Sequence, residues 1–273
     1  MRILFLGDIV GEPGRRTVIE RLPDLRRDRQ IDFVIANGEN AAGGRGITPK
    51  ISIDLLRAGV AVITTGDHAW DQGEIMSYMG TEPRLLRPLN YPDGTPGQGS
   101  VVLDTAKGKV GVINAQGQTF MQPALANPFL AVEAEIERLR ELEGELILFV
   151  DFHAEATSEK MCFAHFVDGR ASLVVGTHTH CPTADHQILN GGTGYQSDAG
   201  MCGDYDSSLG MDKEEPLNRF LTKVPKGRFE AATGPATICG LGVELSDSSG
   251  LCEAIAPLRL GPRLEETVPA FWR

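Results

Sequence analysis

The sequence predicts an α/β fold of two packed β-sheets flanked by helices, and three observations predict it. Short apolar runs alternate with helix-patterned stretches through the first part of the chain. A hairpin signature breaks that rhythm in the middle, and the alternation then resumes before a closing pair of strands. Strand–helix alternation implies right-handed crossovers and a mostly parallel sheet. The first strand lies near Ile3, a helix follows Pro13-Gly14, a strand lies near Phe33, a helix runs from Thr48 to Ala58, a strand lies near Val60, and a helix follows Asp71. Next, Ser100-Val101-Val102-Leu103-Asp104 and Lys109-Val110-Gly111-Val112-Ile113 flank Thr105-Ala106-Lys107-Gly108, which reads as a hairpin. A long helix runs from about Pro128 to Leu142. In it Val132, Ile136, Leu139 and Leu142 keep helical spacing, and Glu133, Glu137, Arg138 and Arg140 face water. A strand at Leu146, a helix from Ser158 to Phe166 and a strand at Leu173 follow. After glycine-rich turns come a short helix from Glu214 to Leu221 and a last pair of strands, 236–245 and 254–258, joined by Ser246-Asp247-Ser248-Ser249-Gly250. No internal repeat or low-complexity linker marks a boundary, so one domain over residues 1–273 is expected.

Composition narrows the function classes. A 41% hydrophobic and 23% charged chain is ordinary for soluble protein, and no apolar run approaches a membrane span. The apolar patch at Ile3-Leu4-Phe5-Leu6 is too short for a signal-peptide core, which points to the cytoplasm. Five cysteines without a Cys-x-x-Cys argue for reduced thiols, with Cys181, directly after His180, reading as a space filler ahead of a support for that histidine. A formal net charge of −11 argues against binding duplex nucleic acid. The one basic run, Arg21 to Arg29, is interrupted by Pro23 and balanced by Asp24 and Asp28, so it reads as a solvated helix face. Acidity does not exclude an anionic substrate, because bound cations dominate the field of a site. Composition leaves a homo-oligomer open.

The richest motif is Gly176-Thr177-His178-Thr179-His180, which follows the apolar run Leu173-Val174-Val175. A strand has a side-chain period of two, so both imidazoles can point the same way off a strand end or the turn after it, a metal-clamping geometry. Alone, such a pair is weak. Four other apolar runs, however, each end in hard or imidazole ligands: Gly7-Asp8, Asn37-Gly38-Glu39-Asn40, Gly66-Asp67-His68 and Asp151-Phe152-His153. In α/β sheets the ligand site lies outside the carboxyl ends of the strands, so five strand ends are expected on one rim. Together they offer Asp8, Glu39, Asn40, Asp67, His153, His178 and His180, oxygen and nitrogen donors sufficient for two metals. Asp151 and Glu155 read either as partners of His153 or as simple caps, and His165 and His186 as structural or surface residues. Rival motifs fail: Gly7, Gly11 and Gly14 do not make Gly-x-Gly-x-x-Gly, no Gly-Lys-Ser/Thr follows, and no Gly-x-Ser-x-Gly is present.

The order Asp, acidic residue, Gly-Asx-His, later His and Gly-x-His-x-His resembles the calcineurin-like metallophosphoesterases. It is more closely similar to their bacterial YmdB-like branch, of the 2',3'-cyclic-nucleotide 2'-phosphodiesterase type. Gly7-Asp8-Ile9-Val10-Gly11, Asn37 to Gly44, Asp151 to Lys160, Gly176 to Asp185, Asp198-Ala199-Gly200-Met201 and Gly210-Met211-Asp212-Lys213 carry the resemblance. It implies a single αββα metallophosphoesterase domain and a metal-dependent phosphoric diester hydrolase. By the same resemblance one metal is held by Asp8, Glu39, Asn40 and His180, and the other by Glu39, Asp67, His153 and His178, with Glu39 bridging. Also implied are a hydroxide shared between the metals as nucleophile and His68 as general acid. The implied substrates are small cyclic phosphodiesters, 2',3'-cyclic nucleotides first and 3',5'-cyclic nucleotides next. A phosphomonoesterase, a nuclease or a nucleotide-sensing regulator on the same site are the rival readings. Two departures stand out. The superfamily usually places a ligand His at the position of Val10, for which Asn40 would compensate, and the usual Gly-Asn-His is Gly66-Asp67-His68 here. The extra carboxylate favours a harder or trivalent ion, making an iron pair (Fe2+/Fe3+) or Mn2+ the expected metals.

Overall fold

Side-chain alternation along β1 (Arg2–Leu6) divides the interior in two. In the computed structural model, which describes residues 1–272, Ile3 and Phe5 face a second sheet, whereas Leu4 and Leu6 face helices. After β1 come β2 (Asp8–Ile9), α1 (Gly11–Arg29), β3 (Phe33–Asn37), α2 (Pro49–Ala58), β4 (Val62–Thr64) and α3 (Ile75–Met79). The hairpin β5 (Ser100–Thr105) and β6 (Gly108–Gln116) leads to α4 (Pro128–Glu143), β7 (Ile147–His153), α5 (Thr157–Phe166) and β8 (Leu173–Thr177). The chain then forms β9 (Gln187–Ile188), β10 (Gly194–Gln196), β11 (Met201–Cys202), α6 (Glu214–Thr222), β12 (Ile238–Leu245) and β13 (Cys252–Leu260).

One sheet has the order β13-β12-β1-β3-β4 and the other β5-β6-β7-β8-β10-β9. Each is parallel through its middle, β1-β3-β4 and β6-β7-β8-β10, and antiparallel at β12-β13, β5 and β9. Between the sheets Ile3, Phe5, Phe33 and Val243 meet Val110, Val112, Phe149 and Val175. On the outer face of the first sheet, Val18 and Leu22 of α1 and Leu55 of α2 cover Leu4, Leu6 and Val34. On the outer face of the second, Val132, Ile136 and Leu139 of α4 and Phe163 of α5 cover Leu148, Val150 and Val174. This is the αββα architecture expected from the sequence.

Several details depart from expectation. Helix α1 runs unbroken through Pro23. An interior proline loses one hydrogen bond and crowds the carbonyl four residues back, but burial of Val18 and Leu22 just before it holds the helix in register. Leu142 is 67% exposed, so the apolar face of α4 ends at Leu139. Cys181 is exposed and fills no core space. Strands β2, β9, β10 and β11 are too short to announce themselves. The β2–β11 pair nevertheless matters, because it ties Asp8 to Met201 directly beside β1. No helix among the described residues is long and apolar enough to cross a membrane.

Candidate metal centre

Asn37, Thr64, His153 and Thr177 are the last residues of β3, β4, β7 and β8, and Asp8 lies just past β1. The two sheets are joined at that rim by Asp151. It accepts hydrogen bonds from Asn37 Nδ2 at 3.0 Å and Thr177 Oγ1 at 2.6 Å, and another from the Thr64 hydroxyl. Thr177 Oγ1 in turn lies 2.8 Å from His153 Nδ1. Because the threonine proton goes to Asp151, His153 Nδ1–H donates to Thr177, which turns His153 Nε2 towards the carboxylates. Asp151 thus orients His153 through one hydroxyl and is not a cap.

Around His153 Nε2 lie Asp67 Oδ1 at 3.0 Å, Glu39 Oε1 at 3.2 Å and His178 Nδ1 at 3.1 Å. A second group adjoins it. Asp8 Oδ1 is 3.8 Å from His180 Nε2, and Asn40 Nδ2 lies 3.0 Å from Glu39 Oε1 and 3.1 Å from His180 Nε2. Ligand atoms of Glu39, Asp67, His153 and His178 all lie within 4.8 Å of one another, as do those of Asp8, Glu39 and His180, with Glu39 common to both groups. His180 Nδ1–H donates to the Leu209 carbonyl at 2.8 Å, leaving Nε2 as a lone pair aimed at the group. Turning the Asn40 amide about its last torsion offers Oδ1 at the same point. The two histidines of the His-x-His motif therefore belong to different donor groups. The cause is backbone: both lie past β8 with positive φ, 97° at His178 and 63° at His180, so the strand period no longer applies.

A buried ion pair holds this unusual turn. Asp198 accepts from Thr179 N at 3.0 Å, Thr179 Oγ1 at 2.8 Å, Gly200 N at 2.9 Å and Lys160 Nζ at 2.9 Å. Lys160 and Asp198 are 2% and 1% exposed. Removing one partner of such a pair strands a buried charge, so Lys160→Met should destabilise the protein by about 3–5 kcal/mol. Urea unfolding measures it, and a loss below about 1 kcal/mol would mean that the pair does not hold the turn. Space is equally tight beneath Glu39: a Cβ on Gly66 would lie 2.2 Å from His153 Cδ2 and 2.4 Å from Glu39 Oε2.

The electrostatics are those of buried anions short of positive charge. Burial raises the Asp8 carboxyl well above its usual range, with Asp198, Glu39 and Asp151 adding to the effect against His153. Burial acts to lower His153, but Glu39, Asp67 and Asp8 outweigh it and pull the imidazole well above its usual value. Burial acts to raise Asp67, yet its hydrogen bonds with His153 and His178 hold it far below the carboxylate range. Asp8 Oδ1, fully buried, accepts no hydrogen bond. Three carboxylates and three imidazoles aimed at common points, with an unpartnered buried oxygen among them, fit divalent or trivalent cations.

His68 stands outside both donor groups. Its Nδ1 is 3.1 Å from Asp71 Oδ2 and its Nε2 3.7 Å from Asp67 Oδ2, while its backbone N–H donates to Glu39 Oε2 at 3.3 Å. Glu155 reaches His178 Nε2 at 3.2 Å. Exposed His165 and half-buried His186 join neither group. Val10 is buried and bridges to Asn40 through backbone. Above the donors opens a cavity of about 390 Å³, lined by Glu39, Asn40, His68, His178 and His180 together with the apolar Leu209, Met211, Pro216, Phe220 and Phe229. Sequence reasoning did not foresee Asp71, the Lys160–Asp198 pair or the apolar wall. Asp71 had a signal, its place three residues after His68; the wall had none, because polar and glycine-rich segments separate its members.

Comparison with known proteins agrees with this geometry. A family model described as YmdB-like protein matches residues 4–258. The chain is 47% identical over 249 residues to a 2',3'-cyclic-nucleotide 2'-phosphodiesterase of Bacillus subtilis (strain 168), covering 91% of this chain and 93% of that one. Among solved structures, a hypothetical protein from Thermus thermophilus superposes with a TM-score of 0.88 at 43% identity, covering 96% of this chain and 100% of that one. A structure described as a novel phosphatase from Mycoplasma pneumoniae gives a TM-score of 0.88 at 33% identity, covering 96% and 93%.

Proposed function

The chain belongs to the YmdB-like family, and on that footing we propose that it is a dinuclear-metal phosphodiesterase that hydrolyses 2',3'-cyclic nucleotides and, among other small phosphodiesters, 3',5'-cyclic nucleotides. The observation that carries this reading is the sharing of Glu39 between two donor groups. Asp8, Glu39, Asn40 and His180 would hold one ion, with Asn40 using Oδ1, and Glu39, Asp67, His153 and His178 the other. When bound, the pair supplies an acidified water and fixed positive charge against the phosphate oxygens.

The chain's own residues do the rest. Glu39 contributes negative charge to both groups. Asp151, through Thr177, keeps the proton of His153 on Nδ1, and the Leu209 carbonyl does the same for His180, so that both Nε2 atoms stay basic. His68 borders the cavity without belonging to a donor group. Asp71 at its Nδ1 fixes the ring and leaves Nε2 to give a proton to the departing ribose oxygen. Among the described residues no Lys or Arg lines the cavity, and the cations beside its rings are two, Arg219 at Phe229 and Lys223 at Phe220, which makes no basic track for a polymer backbone and counts against a nuclease. The described cysteines are all free, which supports a reducing, cytoplasmic setting.

A panel of substrates tests the reading. The protein should convert 2',3'-cyclic nucleotides to nucleoside 3'-monophosphates faster than it hydrolyses an aryl phosphomonoester. The reverse order would make it a phosphomonoesterase.

The metals we propose are an iron pair, with Mn2+ as the alternative. Asp8, Glu39 and Asp67 bring three negative charges against the four positive charges of two divalent ions, and a third positive charge on one ion is better tolerated with Asp67 than with an amide. Asp67→Asn should therefore keep activity while the metal preference moves from trivalent iron towards divalent manganese, read by metal analysis of the purified variant. Loss of both metals would show that the carboxylate is required for binding itself.

A further inference from the structure

We infer that Phe220 and Phe229 form the platform on which the nucleobase of a mononucleotide substrate stacks, making them specificity-determining residues of this site. The inference rests on the phosphodiesterase reading above. A cavity of about 390 Å³ is of the size that takes a small organic ligand and far larger than one phosphoryl group needs. Its lining joins the polar donors to an apolar part formed by Leu209, Met211, Pro216 and the two aromatic rings. Phe220 is 76% and Phe229 46% exposed, and such rings beside a polar centre suit a partner with one charged and one flat apolar end.

The second ring is held in place. The Arg219 guanidinium lies 4.1 Å from the centroid of Phe229, and is itself fixed by Glu215 at 2.7 Å and the Gly227 carbonyl at 2.8 Å. What remains exposed of Phe229 borders the cavity. The Lys223 ammonium likewise lies 5.8 Å from the centroid of Phe220. The occupant is a single phosphodiester carrying a base, the substrate of the phosphodiesterase reading. Stacking accepts every base because each has a π-face, so the platform selects for a base and only weakly among bases.

The test compares two substrates: adenosine 2',3'-cyclic phosphate and methyl ribofuranoside 2',3'-cyclic phosphate, which has no base. The wild-type protein should favour the nucleotide in kcat/KM. Phe220→Ala and Phe229→Ala should each lower that preference by about ten- to a hundred-fold, mainly through KM, the range that base–aromatic stacking is worth. Phe220→Trp should restore the preference, while Phe220→Leu, apolar but without a π-face, should not. An unchanged preference in the alanine variants, or equal use of both substrates by the wild type, would overturn the platform and leave the phosphodiesterase reading standing. Conversion of Phe220→Ala from an oligomer to a monomer with the preference unchanged would make this face a subunit interface and overturn it as well. Failure of the metal-loaded wild type to turn over either cyclic phosphate would overturn the underlying reading and the platform with it.

Discussion

Glu39→Gln should cost the protein both its metals and its turnover. Glu39 is 1% exposed, and its carboxylate meets His153 at 3.2 Å, Asn40 at 3.0 Å and the His68 backbone N–H at 3.3 Å. It is the one residue shared by the two donor groups. Burial would raise its pKa, but the charge and hydrogen bond of His153 bring it below its usual value, so it is an anion wherever the protein is folded at neutral pH. A glutamine of the same shape removes that charge from both groups at once. Groups that merely touch a metal ligand are worth about 10- to 100-fold in metal affinity, so replacing a shared ligand should cost at least about a hundred-fold, with activity falling in step. Metal analysis after dialysis checks this, and full occupancy with normal turnover would sink the shared-ligand assignment.

His68→Ala should leave metal content intact while turnover falls by about a hundred- to ten-thousand-fold, the usual value of a positioned proton donor. The side chain belongs to neither donor group and is steadied by Asp71, so its removal leaves the metal ligands in place. The loss should depend on the leaving group. A ribose oxygen must be protonated as it departs, whereas an activated phenolate leaves without help, so an aryl phosphodiester should suffer much less than a cyclic nucleotide. Equal losses on the two substrates would refute proton donation, and loss of metal would make His68 a ligand or a ligand's support. The same variant separates enzyme from sensor: a regulator that only binds nucleotide would keep its function without this imidazole.

The donors could be read from the sequence because each sits where an apolar run stops: Asp8 after β1, Glu39 after β3, His153 at the end of β7. A strand buried on both faces is a continuous apolar run, and the residue that breaks it is conspicuous. How the donors divide was a different matter. Spacing alone would have put His178 and His180 on one ion; the family resemblance implied their separation, and their positive φ values accompany it in the structure. The support for that turn was hidden for a related reason. Lys160 on α5 and Asp198 after β10 are residue types usually found in water, and nothing short of tertiary structure pairs them in the interior. The apolar wall was hidden because Phe220, although on the Leu217-Phe220-Leu221 face of α6, and Phe229 after the helix stay exposed, so nothing in their spacing aims them at the donors. Pro23 misled for the opposite reason: a strong local signal was overruled by the packing of Val18 and Leu22 on the first sheet.

The most direct test is to strip the protein with chelator, restore iron or manganese in steps, and follow hydrolysis of a 2',3'-cyclic nucleotide against bound metal per chain. If Glu39 ties two ions into one centre, activity should stay low until the second ion is bound and reach its maximum at two per chain. Full activity at one ion per chain, or undiminished activity in the stripped protein, would contradict the account.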